Sequence, residues 1–95
     1  MSVNNQRLSE RFKISMEVEV AYPNGSIYHY MTRDVGDGGV YILMPKEDFP
    51  PLGEIVAIQK ASDESCKTKL SSDVAVVVHT GSDGIGLAFV DIDLL

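Results

Sequence analysis

The chain has one cysteine, no tryptophan and no long run of apolar residues. Because Cys66 has no second cysteine to pair with, an internal disulfide is impossible, and nothing indicates an oxidising compartment. No apolar segment reaches the length needed to cross a bilayer, and residues 1–6 lack the apolar core of a signal peptide. We therefore predict a cytoplasmic protein that is not inserted into a membrane.

Positive charge is scarce as well, since the 95 residues carry a formal net charge of −6. Residues 1–33 contain four cationic and three acidic side chains (+1), whereas residues 34–95 contain four lysines and eleven acids (−7). An acidic surface repels a long phosphate backbone, so a nucleic-acid polymer is an unfavourable partner. A small anion held by a few local arginines is compatible with this charge, because salt screens charges beyond ~10 Å.

The sequence also lacks helical periodicity. Residues 12–20 alternate instead between apolar and polar side chains, which is typical of a strand with one buried face that includes Phe12. Turn-forming residues at 23–26, and glycines and prolines further on, separate this strand from later apolar segments. Residues 46–49 have room for one helical turn. The predicted further strands cover residues 27–33, 40–44, 54–60, 70–80 (where Val74, Val76 and Val78 alternate) and 85–89.

Six short strands must hide their edges, and closure into a barrel achieves this with the least sequence. A chain of this length has room for one domain. We therefore predict an all-β protein, a six-stranded antiparallel β-barrel over residues 12–95 that follows a flexible N-terminal arm at residues 1–11. A two-sheet sandwich is the alternative, although six strands would give it a thin core.

The residues that best indicate function lie in the arm and in one glycine-rich segment. Arg7 and Arg11 are four residues apart, and residues 34–39 read Asp-Val-Gly-Asp-Gly-Gly, which predicts a bend with a carboxylate at its start. A cationic pair facing exposed backbone and one acceptor suits a flat anionic ligand. Two simpler interpretations stay open: solvated arginines on a frayed terminus, and an ordinary hairpin turn.

Three motifs occur in a fixed order. Arg7 and Arg11 fit R-x-x-x-R, residues 34–39 fit D-x-S-x-G-G with Gly36 in place of serine, and residues 84–91 fit the G-x-G-x-x-F pattern of a closing strand. With these motifs, from about Arg7 to Asp91, the chain resembles a PilZ domain, the bacterial receptor module for cyclic di-GMP.

The resemblance implies a six-stranded barrel whose arm folds over cyclic di-GMP on the outer face. It also implies that Arg7 and Arg11 contact guanine edges and phosphates, while the glycine-rich segment completes the site. Guanidinium groups match the O6 and N7 acceptors of guanine, and a carboxylate can accept from the guanine N–H groups. The implied ligand-binding residues of that segment are Asp34, Gly36, Gly38 and Gly39.

Two further positions modify this expectation. Gln6 stands where family members that bind an intercalated ligand pair have an additional arginine, which suggests one ligand per domain. Gln6 and Arg33, which is next to the segment, are possible accessory residues. The serine hydroxyl replaced by Gly36 is worth about 1 kcal/mol, or up to about tenfold in affinity, so its loss should weaken binding without abolishing it.

The expected function is that of a cyclic di-GMP receptor or adaptor. It would act on an unknown protein effector to regulate motility, biofilm formation or exopolysaccharide output. The alternative is a degenerate barrel that does not bind the ligand and works through protein–protein contacts. No nucleophile–base pair or carboxylate dyad suggests an enzyme, and His29 and His79 have no third ligand at metal spacing. We expect no metal and no cofactor apart from the ligand.

The remaining aromatic and acidic residues are expected to play ordinary structural parts. Tyr28, Tyr30 and Tyr41 are predicted to pack on or within the barrel. Asp83 is predicted to be a solvated charge.

Overall fold

Nearly all of the regular secondary structure in the described residues is β-strand. The computed structural model describes residues 11–61, 70 and 72–91. One short 3-10 helix, η1, covers Lys46–Asp48. The strands are β1 Arg11–Phe12, β2 Glu17–Ala21, β3 Ile27–Gly36, β4 Gly39–Leu43, β5 Ile55–Lys60, β6 Val74–Thr80 and β7 Gly84–Phe89.

The strands close into a barrel. Every pairing is antiparallel, and the order around the sheet is β3-β2-β5-β6-β7-β4, with a pairing between β4 and β3 that completes the circle. Closure leaves these six strands with no free edge, as the sequence predicted. The short β1 is additional to the predicted six and pairs with the end of β3.

The core fills the inside of the barrel and follows the period-two pattern of the strands. Ile85 and Leu87 of β7 point inward, as their alternation predicts. In β6 the inward side chains are Ala75 and Val77. The alternating residues Val74, Val76 and Val78 therefore face outward. The largest fully buried side chains are Ile42, Ile58, Ile85, Val18, Val20, Val40, Val77 and Thr32.

The predicted strand over residues 12–20 was wrong in its first half. Met16, Val18 and Val20 are buried as expected, but Phe12 is 56% exposed. Residues 13–16 leave the ladder, and β1 then pairs with β3 as an extra strand rather than continuing β2. Phe12 therefore does not reach the barrel interior.

Several other boundaries also differ from expectation. β6 begins at Val74 and not at residue 70, and β3 extends three residues beyond residue 33. The turn at residues 23–26 is present, with Gly25 at φ 94° and its N–H donating to the carbonyl of Tyr22 at 2.9 Å. Cys66 lies outside the described residues. No helix within the described ranges is long and apolar enough to cross a membrane.

Candidate functional site

Thr32 holds the chain leading out of β1 against the barrel. Its side chain is fully buried, accepts a hydrogen bond from the Met16 N–H at 3.0 Å and donates to the Ile14 carbonyl at 2.5 Å. Its own N–H donates to the Met16 carbonyl at 2.9 Å. These contacts fix residues 14–16 on β3, so that β1 lies against the last residues of the same strand.

A β-bulge at Arg33 decides which way the carboxylate of Asp34 points. Thr32 pairs with Ile42 and Asp34 pairs with Tyr41, which leaves Arg33 as an extra residue between the two pairs. Strict alternation from the buried Thr32 would direct Asp34 into the core. The extra residue reverses the alternation, because a bulge places two residues opposite one. Val35 therefore joins the core and Asp34 faces outward.

Arg11, Arg33 and Asp34 form one cluster of charges on the outside of the barrel, which we call the Arg–Asp cluster. Arg11 donates through Nε at 2.8 Å and Nη2 at 2.5 Å to Oδ1 of Asp34. Arg33 donates through Nε at 2.8 Å to Oδ2. Asp34 is only 7% exposed because the two guanidinium groups cover it, whereas the side chains of Arg11 and Arg33 are 44% and 51% exposed.

The cluster keeps Asp34 ionised. Burial by itself would raise the pKa of Asp34, but the hydrogen bonds from Arg33 and Arg11, together with their charges, outweigh it and hold the pKa below its usual value. The hydrogen bond to Asp34 raises the pKa of Arg33 in turn. A carboxylate has about four lone-pair positions, of which three accept from the arginines, so about one position on Oδ2 is available to a ligand.

Tyr41 extends the cluster across the surface of β4. The Arg33 guanidinium lies over its ring, 3.7 Å from the centroid, and its hydroxyl donates to Oδ1 of Asp83 at 2.8 Å. Burial, followed by the hydrogen bond to Asp83, raises the pKa of Tyr41. The ring packs against glycines: a Cβ on Gly81 would lie 2.2 Å from the Tyr41 hydroxyl, and one on Gly84 would lie 2.8 Å from a ring carbon.

The predicted bend at residues 34–39 is tighter than expected. Asp34 and Gly36 belong to β3 and Gly39 begins β4, so the turn itself consists of Asp37 and Gly38. Gly36 lies directly opposite Arg11 in the ladder between β3 and β1. Gly39 has a structural reason to lack a side chain, because a Cβ there would lie 2.2 Å from the Leu87 carbonyl oxygen of β7.

The predicted site residues within the described part of the chain therefore lie in one region. The structure brings Arg11, Arg33 and Asp34 into contact, with Gly36 paired to Arg11. Gly38 and Gly39 follow at the adjoining turn. Gln6 and Arg7 lie outside the described residues.

Two neighbours of the cluster were not assigned to it from the sequence. Asp83, expected to be a solvated charge, binds the Tyr41 hydroxyl, and Tyr41 itself supports Arg33. The closing-strand motif could have indicated the place of Tyr41, because Gly84 of that motif leaves room for the Tyr41 ring. In the described residues, no group of three or more histidine, cysteine or acidic side chains is arranged to hold a metal ion.

Comparison with known proteins agrees with this architecture. One similar solved structure is the PilZ domain of CeSA from a cellulose-synthesizing bacterium, with 24% sequence identity, a TM-score of 0.62 and coverage of 86% of this chain and 82% of that one. At that identity the likeness concerns the fold. No curated protein matches the chain. The PilZ domain family, however, matches residues 5–94, almost the full length. This chain belongs to the PilZ domain family.

Proposed function

We propose that the protein is a cyclic di-GMP receptor whose ligand binds at the Arg–Asp cluster. PilZ domains are receptor modules for this nucleotide and not enzymes, so family membership supports the general activity. The observation that carries the proposal is the contact between Arg11 and Asp34. It joins the end of the R-x-x-x-R motif to the start of the glycine-rich motif, although 23 residues separate them in the chain.

The proposed roles follow from the donors and acceptors of the cluster. Arg11 would turn one N–H from Asp34 to a phosphate or guanine acceptor, since its side chain is 44% exposed. Asp34 would accept from a guanine N–H at its remaining lone-pair position. Arg7 would supply the second guanidinium of the arm.

The other predicted residues have lesser roles in this proposal. Gly36, Gly38 and Gly39 would shape the backbone beside the ligand, and Arg33 would hold Asp34 ionised and add positive potential. Gln6, in place of an arginine, favours one ligand molecule per chain.

Ligand binding would act as a switch by fixing the arm, predicted as residues 1–11, over the barrel at residues 12–95. Arg11, in β1, is already paired with Gly36, so the proposed change concerns the residues before it. Ordering a segment on binding creates a surface that exists only in the bound state, and a protein effector can recognise it. The protein would act in the cytoplasm. The proposed output is control of motility, biofilm formation or exopolysaccharide synthesis. In this proposal the arm has the regulatory role and the barrel serves as the scaffold.

Isothermal titration calorimetry with cyclic di-GMP tests the proposal. Each hydrogen bond to a charged group contributes about 1.5–3 kcal/mol, so we expect Arg11→Ala or Arg7→Ala to weaken binding by roughly 10- to 150-fold. Lys13→Ala, which removes an exposed cation close to Arg11, is the matched control and should change affinity little. One ligand per chain is expected.

Two results would contradict parts of this proposal. The absence of binding at high micromolar ligand would favour the second candidate, a ligand-blind interaction barrel in which Gly36 marks a degenerate site. A stoichiometry near two ligands per chain would contradict the interpretation of Gln6 and leave the receptor function in place.

A further inference from the structure

The β2–β3 hairpin carries three tyrosines at one end of the barrel. Tyr28 pairs with Val20 and Tyr30 pairs with Val18, and both valines are fully buried. Paired residues lie on the same face of a sheet, so both tyrosines are on the inward face. Tyr28 is nevertheless 49% exposed. The inward face of the sheet therefore reaches solvent at Tyr28, at this end of the barrel.

The aromatic rings line one side of a cavity at that end. Tyr22 and Tyr28 have ring centroids 5.7 Å apart with their planes at 63°, and Tyr28 and Tyr30 are 6.2 Å apart at 34°. The rings thus form an angled wall instead of a flat stack. We use the name tyrosine pocket for the cavity of about 190 Å³ that is lined by Tyr22, Tyr28, Tyr30, Glu47 and Asp48.

Negative charge in the tyrosine pocket is not balanced by a cation from the described part of the chain. Glu47 and Asp48, in η1, are exposed, and neither forms an ion pair with any residue that the structure describes. Asp48 makes one long contact, 3.4 Å, from the Tyr30 hydroxyl. Lys46 belongs to the same turn but does not line the cavity. Burial raises the pKa of Tyr22 and of Tyr30; the hydrogen bond to Tyr22 raises that of Tyr30 further, and the nearby charge of Asp48 adds to both increases.

The Tyr22 hydroxyl is weakly satisfied. It is buried next to the Tyr30 hydroxyl, and a weak hydrogen bond between the two partly offsets the rise that burial causes in the pKa of Tyr22. No other residue that the structure describes is its partner, whereas buried hydroxyls normally have a strong one. The pocket thus combines π faces with two carboxylates that form no ion pair with a described residue, and none of its residues belongs to the Arg–Asp cluster.

We propose that the tyrosine pocket binds an organic cation, with an alkylammonium or guanidinium group lying among the three rings and its charge facing Glu47 and Asp48. Aromatic faces attract cations through their quadrupole, and rings grouped with acids are a recurring way to hold ammonium groups. The open ends of small β-barrels are common ligand sites. The cation could come from a free small molecule or from a lysine or arginine side chain of a partner protein.

NMR titration of the full chain tests this directly. Choline is compared with 3,3-dimethyl-1-butanol, which has the same shape but a neutral carbon in place of the nitrogen, at constant ionic strength. We expect choline to shift the resonances of the tyrosine pocket. Because the pocket is partly exposed to solvent, the dissociation constant should be on the order of 1 mM. The neutral alcohol should bind at least threefold more weakly. Equal responses to the two compounds, or no response to any cation, would overturn the proposal.

Variants of the lining residues provide a second, independent test. Tyr28→Ile keeps an apolar strand residue but removes a ring, and Asp48→Asn removes a charge on the surface; each should weaken choline binding roughly threefold or more. Glu17→Gln, on the outer face of β2, is the matched control and should leave binding within about twofold. A dispersed spectrum verifies that each variant is folded. Unchanged binding in both lining variants would also overturn the proposal.

The source of the cation is decided by a comparison of probes. Tighter binding of choline than of N-acetyl-lysine methylamide and N-acetyl-arginine methylamide would assign a free small cation. The reverse order would assign a basic side chain of a partner protein. Both results support a cation site, and they differ only in what occupies it.

Discussion

The Arg33 guanidinium lies 3.7 Å above the ring of Tyr41, and this stacking holds its Nε in position to donate to Asp34. Arg33 is therefore a fixed part of the surface and not a loose charge, although half of its side chain is exposed. Because the guanidinium covers one face of Tyr41, a nucleotide base cannot stack on that face unless Arg33 moves. The contacts make Arg33 a support for Asp34 in the proposed site.

We expect Gly36→Ser to tighten cyclic di-GMP binding by up to about tenfold, because it restores the hydroxyl found in the family motif. The mechanism is the added hydrogen bond. Gly36 is already held in the ladder opposite Arg11, so a reduction of backbone freedom contributes little. Calorimetry of the variant and the natural chain measures the difference. Equal or weaker binding would count against the assignment of residues 34–39 to the site.

The pH dependence of stability should report on Asp34. Since its folded pKa lies below the ordinary value, its ionised form stabilises the fold above about pH 4, and this contribution is lost as the pH falls through the folded pKa. Urea unfolding should show Asp34→Asn to be less stable than the natural chain at pH 7. The difference should shrink steadily below about pH 4.

Asp37→Asn is the control for that measurement, because Asp37 is exposed in the adjoining turn. It should change the pH profile much less than Asp34→Asn does. A gap between the natural chain and Asp34→Asn that is the same at pH 7 and pH 2 would show that the ion pairs do not cause the stabilisation.

Thr32→Val should destabilise the protein by about 1–3 kcal/mol, since it removes buried hydrogen bonds to Met16 and Ile14 while keeping the side-chain volume. Thr32→Ser, which keeps the hydroxyl, is the matched control and should lose less. Urea denaturation measures both variants. If the serine variant proves to be the less stable of the two, side-chain packing and not hydrogen bonding accounts for the role of Thr32.

Gly39→Ala should destabilise the barrel by about 1–3 kcal/mol or more, because the new methyl group would lie 2.2 Å from the Leu87 carbonyl oxygen. The strands must separate to admit it. Gly86→Ala is the comparison, since its nearest contact is the Cβ of His79 at 3.3 Å, and it should cost less. Thermal or urea unfolding distinguishes the two. Similar stabilities would mean that β4 and β7 adjust easily at Gly39.

Much of the architecture could be predicted from local patterns. Alternation at Val18 and Val20 predicted an inward face, and short strands that need covered edges predicted a barrel. Alternation wrongly placed Phe12 on the buried face, because a period-two pattern does not show where a strand leaves its ladder. That departure depends on Thr32, which lies on another strand and is 18 residues from Ile14.

The sequence alone indicated the identity of the fold: its apolar periodicity and turns favour a closed sheet over a sandwich, and its ordered motifs indicate the PilZ domain family. Only the tertiary structure decided the direction of Asp34, because the bulge at Arg33 arises from pairing with β4 and has no signal in the strand itself. It also decided the partners of Asp34 and the glycine requirement at residue 39. These properties depend on distances between strands, and chain order does not contain those distances.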